Sequence, residues 1–379
     1  MKTYLFTDRL GAHSIWSLLD SIAEKLIENG NKVIYCRFDD NKQGEARATP
    51  NAVLVYDIKV PIKKQVWDLY LQHRVFSKEL TVIIKQHNVD LVHTNFAIPA
   101  ISARLTAQKC RVPVVSTQHE LYGSMGRHLQ LGLRWTEKIC SHVVYISQTV
   151  AKSFAADNLN LNNESIILNG IDVDSISAHI KPVPERRRHR IICVGRMMEV
   201  KGQHILINAV PKLIKRQPEI ELIFIGSGPD EQKLKNITKK LCIEQHVQFM
   251  GWLSRDETMK TIANSSVMVI PSDGSQEGFG LVVAESLALE IPIVCSDIPV
   301  FKEVAGDTSL MFKKGDSQSL TDAIVDIFEN SSAAESRCKQ GKQRVLDRFT
   351  VDVMVDSYLN LYEKLLANKY KYKYKTDKK

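Results

Sequence analysis

The sequence has no cysteine pair close enough to clip a metal or a redox centre. Its seven cysteines, Cys36, Cys110, Cys140, Cys193, Cys242, Cys295 and Cys338, are scattered, and several fall inside apolar runs. They read as reduced, buried thiols, not as disulfides or zinc ligands. Apolar runs of about 18 residues without a charge are missing, so no helix is expected to span a bilayer. The N-terminus, MKTYLFTDRLGAHS, is too short in apolar residues for a secretory signal and lacks a small-residue cleavage site. It reads as a first β-strand of a chain expected to stay in the cytoplasm. After that strand there is no G-x-G-x-x-G, only Asp8-Arg9-Leu10-Gly11-Ala12-His13-Ser14, and no P-loop occurs anywhere. Positive charge spread over a folded face is missing too. Of the net +8, the tail 369–379 holds +5 and the segment 185–190 holds +3, which leaves a balanced body. Nucleic-acid binding therefore has little support.

What is present is a 379-residue globular composition, 44% hydrophobic and 25% charged, long enough for two domains. Short β-branched runs alternate with helix-length patterns. In the first half the strands read KTYLFT, KVIYCRF, AVLVYDI, DLVHT, VPVVST, HVVYIS and SIILNG, with helical segments at 14–29, 64–87, 97–109 and 127–139. In the second half RIICVG, IELIFIG, VQFMG, SVMVIPS, PIVCSD and SLMF alternate with helical patterns at 202–217, 230–242, 254–264, 280–290 and 316–330. This is the pattern of α/β domains with parallel sheets covered on both faces. The aperiodic, proline-bearing segment 171–190 reads as a linker, and 351–367 as a last helix. The expected architecture is two doubly wound, Rossmann-like domains facing across a cleft, with ligands at the strand C-termini.

Three segments carry chemistry. Gly195-Arg196-Met197-Met198-Glu199-Val200-Lys201-Gly202 follows a strand and opens a helix. A glycine at that place lets a ligand approach the backbone, and Arg196 and Lys201 set two cations at a helix start that already favours phosphate. A loop with two solvated basic residues is the alternative. Ile225-Gly226-Ser227-Gly228-Pro229 is a tight strand-to-helix turn, either structural or a ligand contact. In Pro271–Ser286, Glu277 lies in a glycine-containing loop, the amides of Gly278, Phe279 and Gly280 precede a helix, and Glu285 sits on an otherwise apolar helix face. A buried carboxylate needs a partner, which a ribose diol or a structural cation could supply. Asp172-Val173-Asp174 resembles a metal-binding D-x-D but falls in the linker, so no metal site is expected. His119 ends a strand of the first half, at an edge where a cleft wall is expected.

In order, I-I-L-N-G-I-D (166–172), G-R-x4-K-G (195–202), I-G-x-G-P (225–229), F-x-G-W (249–252) and E-G-F-G-L-V-V-A-E (277–285) resemble the retaining GT-B glycosyltransferases of family 4. The resemblance covers nearly the whole chain. It implies that Arg196 and Lys201 neutralise the donor diphosphate in place of a metal, Glu277 contacts the donor sugar and Glu285 binds the ribose. It also implies backbone contacts from Phe279, Gly280 and Leu281, beside the substrate contacts that the local pattern offers at Gly195, Gly226 and Gly278, and a bond from His119 to the donor sugar. The family often has a glycine pair after the first strand; here Gly11 stands alone, and the resemblance implies that its backbone amide lies near the donor phosphate. The expected division is 1–172 with 351–379 as the acceptor-side domain and 173–350 as the nucleotide-sugar domain.

The activity so implied is transfer of a sugar, with retention and without cofactor or metal, from a nucleotide-diphosphate sugar, UDP-sugar favoured. The acceptor would be a glycan or a lipid-linked hydroxyl, as in lipopolysaccharide or surface polysaccharide synthesis. A nucleotide-sugar 2-epimerase and a non-catalytic binding subunit are the alternatives. In 62–78, Trp67, Leu71 and Val75 recur at helical spacing beside Lys63, Lys64, Arg74 and Lys78. Either this is an interfacial helix docking on anionic membrane, or the stripe faces the domain core.

Overall fold

A computed structural model describes residues 1–40, 48–63, 65, 67–95, 97–154, 163–180 and 189–376. Lys64, the arginines of 185–188 and the last three tail residues lie outside the described residues, as do the tail side chains from 368 onward. The chain divides into two compact units, Met1–Gly170 with Val351–Lys379, and Ile171–Thr350.

The first unit runs β1 (Thr3–Arg9), α1 (His13–Glu28), β2 (Lys32–Asp39), β3 (Leu54–Lys59), α2 (Asp68–Gln86), β4 (Leu91–Thr94), α3 (Ala97–Lys109), β5 (Val114–Gln118), α4 (Arg127–Glu137), β6 (His142–Tyr145), α5 (Gln148–Phe154) and β7 (Glu164–Ile166). The second runs α6 (Val173–Ser177), β8 (Arg190–Val194), α7 (Gln203–Arg216), β9 (Glu221–Ile225), α8 (Glu231–Lys240), β10 (Val247–Phe249), α9 (Arg255–Ala263), β11 (Val267–Ile270), α10 (Leu281–Ala288), β12 (Ile293–Ser296), α11 (Pro299–Ala305), β13 (Leu310–Phe312), α12 (Ser317–Glu329) and α13 (Ser331–Arg348). The last helix, α14 (Val351–Thr376), returns to the first unit.

Each unit is built on one parallel sheet. The orders are β3-β2-β1-β4-β5-β6-β7 and β10-β9-β8-β11-β12-β13. Strand side chains alternate between faces, and the apolar runs are buried on both. Tyr4 and Phe6 of β1 join a core with α1 and α14, whereas Leu5 joins one with α2 and α3. In the second unit one core gathers β8, β9, β11, α7 and α12. Each order reverses once, between β1 and β4 and between β8 and β11. Outside the carboxyl ends of strands at such a reversal lies the ligand crevice of doubly wound sheets.

Helix α14 is held by apolar and polar groups together. Met354, Val355, Tyr358, Leu361, Tyr362 and Leu366 are all buried against the first unit. The Tyr362 hydroxyl bonds His93 Nδ1 at 2.6 Å, and Tyr358 bonds Thr117 Oγ1 at 3.0 Å. Burial pulls the His93 ring down to about 3, so it stays neutral.

Two expectations are corrected. The segment 171–190 is not all linker. Asp172 caps α6 by accepting from the Ser175 amide at 3.0 Å, and Ile176 is buried. Ile171 also bridges to Thr350, so the chain enters and leaves the second unit side by side. Nor are Trp67 and Leu71 on the core stripe of α2, although Val75 packs against it. The buried residues are Gln72, Phe76, Leu80, Ile83 and Ile84, while Trp67 is 80% and Leu71 45% exposed. Among the described residues no helix is long and apolar enough to cross a membrane.

Candidate functional site

In the second unit the β8/β11 reversal is lined by three loops that interlock because glycine is present. Gly202 caps α7 in the left-handed region (φ +71°), and a Cβ there would lie 2.0 Å from the Pro271 carbonyl oxygen. Gly226 (φ +119°) would place a Cβ 2.2 Å from the Gly195 carbonyl oxygen. Gly202 and Gly226 therefore let backbones meet, which is reason enough for glycine at both, whereas a Cβ on Gly195 (φ +151°) would meet open space. Ser272 Oγ and the Asp273 amide both donate to the Val200 carbonyl, at 3.1 and 2.9 Å. The loop after β11 is thereby stitched to the turn that carries Lys201.

That stitching brings Lys201 and Glu277 together across 76 positions of sequence. Lys201 Nζ lies 2.6 Å from Glu277 Oε1, with side chains 25% and 12% exposed. An ammonium has three donors, so two remain for a ligand. Arg196, on the same loop, is exposed, and its side chain makes no hydrogen bond or ion pair among the described residues. Its backbone carbonyl accepts from Gln203 Nε2 at 3.0 Å, which anchors the loop to α7. An unpaired guanidinium and a half-paired ammonium stand beside the start of α7.

Helix α10 starts after Gly280 in the left-handed region, close behind Gly278, Phe279 and ahead of Leu281. The Phe279 ring is 3% exposed and packs edge-on against Phe349 at 5.6 Å. Only its backbone can meet a ligand. One turn into α10, Glu285 is 8% exposed and lies 3.1 Å from Arg255 Nη2. Burial raises its pKa and Arg255 opposes the rise. Arg255 was not legible as a partner. Its signal is the reciprocal capping box of Ser254 and Glu257, which fixes it at the first position of α9.

In the first unit the corresponding reversal, β1/β4, is polar and under-bonded. His119, just past β5, bonds Asn95 Oδ1 through Nε2 at 3.1 Å. With that oxygen accepting, Nε2 holds the proton and Nδ1 is left to accept. Burial pulls the His119 imidazole down to about 4, although the residue is half-exposed at the wall of a small cavity with Asn95, Asn169 and Tyr358. Gly11 lies in the turn joining β1 to α1. The residue missed by sequence reasoning is Asp8. It is fully buried at the end of β1; one oxygen accepts from the Arg9 amide at 2.6 Å and Oδ2 has no partner. Burial lifts its carboxyl from 3.8 to about 8, against the pull of Arg9. Thr7 Oγ1, Thr94 Oγ1 and Asn95 Nδ2 are likewise buried without partners. An acid ending an otherwise apolar strand was the available signal.

No group of three or more His, Cys, Asp or Glu side chains among the described residues is placed to hold a metal ion. Asp172 of the D-x-D serves as the α6 cap.

Two family models match the chain nearly end to end: Glycosyltransferase Family 4 over residues 17–175 and Glycosyl transferases group 1 over 174–344. A phosphatidyl-myo-inositol mannosyltransferase of Mycobacterium leprae is 27% identical over 262 residues, 66% of this chain and 67% of that protein. The O-antigen biosynthesis glycosyltransferase WclY of Escherichia coli is 29% identical over 306 residues, 74% of this chain and 82% of its own. Among solved structures, Anabaena HepE in complex with UDP and glucose superposes with a TM-score of 0.78 at 17% identity, covering 96% of this chain and all of that one. With the two family models meeting at the junction of its units and each sheet wound as described, the chain belongs to the glycosyltransferases of GT-B fold.

Proposed function

We propose that this chain transfers a sugar from UDP-sugar to a hydroxyl of a glycan or lipid-linked acceptor, with retention and without a metal, in surface polysaccharide synthesis. The observation that carries the reading is the Lys201–Glu277 pair beside an unpartnered Arg196 at the β8/β11 reversal. Breaking a sugar–diphosphate bond leaves negative charge on the β-phosphate. Lys201, Arg196 and the helix-start amides stabilise that charge where it develops. Glu277, oriented by Lys201, accepts from sugar hydroxyls, and Glu285 from the ribose. Neutral His119 offers Nδ1 to a sugar hydroxyl. In a retaining transfer the acceptor oxygen attacks on the leaving-group face. Its proton passes to a phosphate oxygen as the new glycosidic bond forms and the old one breaks.

UDP is favoured because HepE is described with UDP and glucose, and polysaccharide synthesis because WclY is an O-antigen enzyme. Contact with an anionic membrane is supported by exposed apolar residues, Trp67 at the N-cap of α2, Leu71 of α2, and Leu131 and Trp135 of α4. The deciding experiment is a thermal-shift screen of UDP-, GDP- and ADP-sugars, with and without EDTA. Ligands selective for the folded state raise Tm. The product's anomeric configuration is then read by NMR. Absence of any nucleotide-dependent shift, or its loss in EDTA, rejects the reading.

A further inference from the structure

We propose that the groove between α2 and α3 of the first unit is a binding site for a phosphate-ester group, separate from the Lys201–Glu277 pair and independent of the sugar-transfer reading. The groove holds about 540 Å³, within the size range of small-ligand sites. Arg74, Lys78 and Lys109 line it, and among the described residues no acidic one does. None of the three makes an ion pair among the described residues, whereas Arg9 and Arg37 of the same unit are paired with Asp40 and Asp57. Arg74 and Lys78 stand one helical turn apart, a spacing at which like charges repel. A ligand with two negative charges would relieve that repulsion.

Thr106 gives the groove an independent mark of a ligand. It lines the groove, is 3% exposed, and its Oγ1 has no hydrogen-bond partner. A helical threonine ordinarily bonds the carbonyl four residues back, as Thr81 does with Ser77 on the opposite wall at 2.7 Å. Thr106 leaves its hydroxyl unused. Nearby, His73 Nδ1 is held by Ser102 Oγ at 2.9 Å. An arginine fork, two ammonium groups and an unspent hydroxyl suit the oxygens of a phosphate ester. The 61% exposed Tyr70 ring at the rim suits the organic group attached to it.

The test uses the full chain with and without excess UDP, so that an anion held at the Lys201–Glu277 pair is told apart from one held in the groove. Glycerol 3-phosphate is titrated calorimetrically. In parallel the protein is sedimented with vesicles of phosphatidylcholine, with and without phosphatidylglycerol. Wild type is compared with Arg74→Ser/Lys78→Ser, and with Thr106→Val, which keeps shape and charge. Loss of charge-assisted bonds predicts at least about ten-fold weaker binding in the double variant, and loss of one neutral bond about three- to ten-fold in Thr106→Val. UDP affinity and Tm stay at wild-type values. Glycerol 3-phosphate binding weakened in both variants establishes the site with a soluble ligand. Vesicle binding alone, dependent on phosphatidylglycerol and weakened in both, establishes it with a lipid headgroup. Failure of both probes to bind, or wild-type binding by Thr106→Val, overturns the proposal, the latter because diffuse charge would then suffice.

Discussion

Replacing Lys201 by alanine separates catalysis from stability, and the structure sets the size of each effect. The side chains of Lys201 and Glu277 are 25% and 12% exposed. Exposed pairs are worth under about 1 kcal/mol, while removing one partner of a fully buried pair costs about 3–5 kcal/mol. This pair lies between those limits and nearer the solvent-screened one, so about 1–2 kcal/mol is expected from Lys201→Ala. For a unit of this size that corresponds to a fall in Tm of about 2–8 °C, read by calorimetry. The loss in turnover should be far larger. Removing one preorganised partner of developing charge costs about 10²–10³ in kcat, or roughly 2.7–4 kcal/mol. UDP release from UDP-sugar at saturating donor measures it. Glu277→Gln keeps the shape and loses the charge that orients the ammonium. It should therefore share part of the turnover loss, and the double variant should lose less than the sum of the single losses. Turnover within about three-fold of wild type for Lys201→Ala, at a temperature where it is folded, would refute the assignment of this lysine to the diphosphate.

Further outcomes follow from other sites. Because burial raises the Asp8 carboxyl from 3.8 to about 8, the folded state binds its proton more tightly than the unfolded chain. Stability from this group is present below about pH 4 and is lost as pH rises towards 8. Asp8→Asn should therefore match wild type in Tm near pH 4 and exceed it at pH 8. By linkage the gain at pH 7 is no more than about 4 kcal/mol. An equal gain at both pH values would show that the carboxylate is not the cause. Gly202→Ala, whose Cβ meets the Pro271 carbonyl, should cost well over the 1–2 kcal/mol of a left-handed alanine alone. Gly251→Ala has a similar φ of +68° and open space, so chemical denaturation should show only that backbone cost. Trp67→Ser with Trp135→Ser should abolish pelleting with anionic vesicles while UDP binding is unchanged. Undiminished pelleting would place the membrane contact elsewhere.

The alternation of Tyr4, Leu5 and Phe6, repeated strand after strand, made the parallel sheets legible, since a strand buried on both faces has to be apolar throughout. Helix α13 was not legible: of Ser331–Arg348 only Ala334, Cys338, Gly341 and Val345 are buried, too thin a stripe to announce itself. Helix α6 hid inside an aspartate-rich segment because one cap and one buried isoleucine make it. At the site, the glycine motifs and Lys201 could be read because backbone crowding and charge leave local traces. The capping box places Arg255 and the strand pattern singles out Asp8, but the pairing of Arg255 with Glu285 and the orphaning of Asp8 Oδ2 are products of long-range packing, which local sequence does not show. Trp67 misled because a periodic apolar stripe says that a helix has a face, not what the face meets.

The return of the chain's last helix to the first sheet has a consequence for birth on the ribosome. The first 170 residues emerge with the slot for Met354, Tyr358 and Tyr362 empty, and His93 and Thr117 still waiting for their tyrosine hydroxyls. The second unit is contiguous and can close while synthesis continues. The earlier-made half must therefore mature last, and a message truncated before residue 351 would release a nascent product whose oldest part has never been sealed.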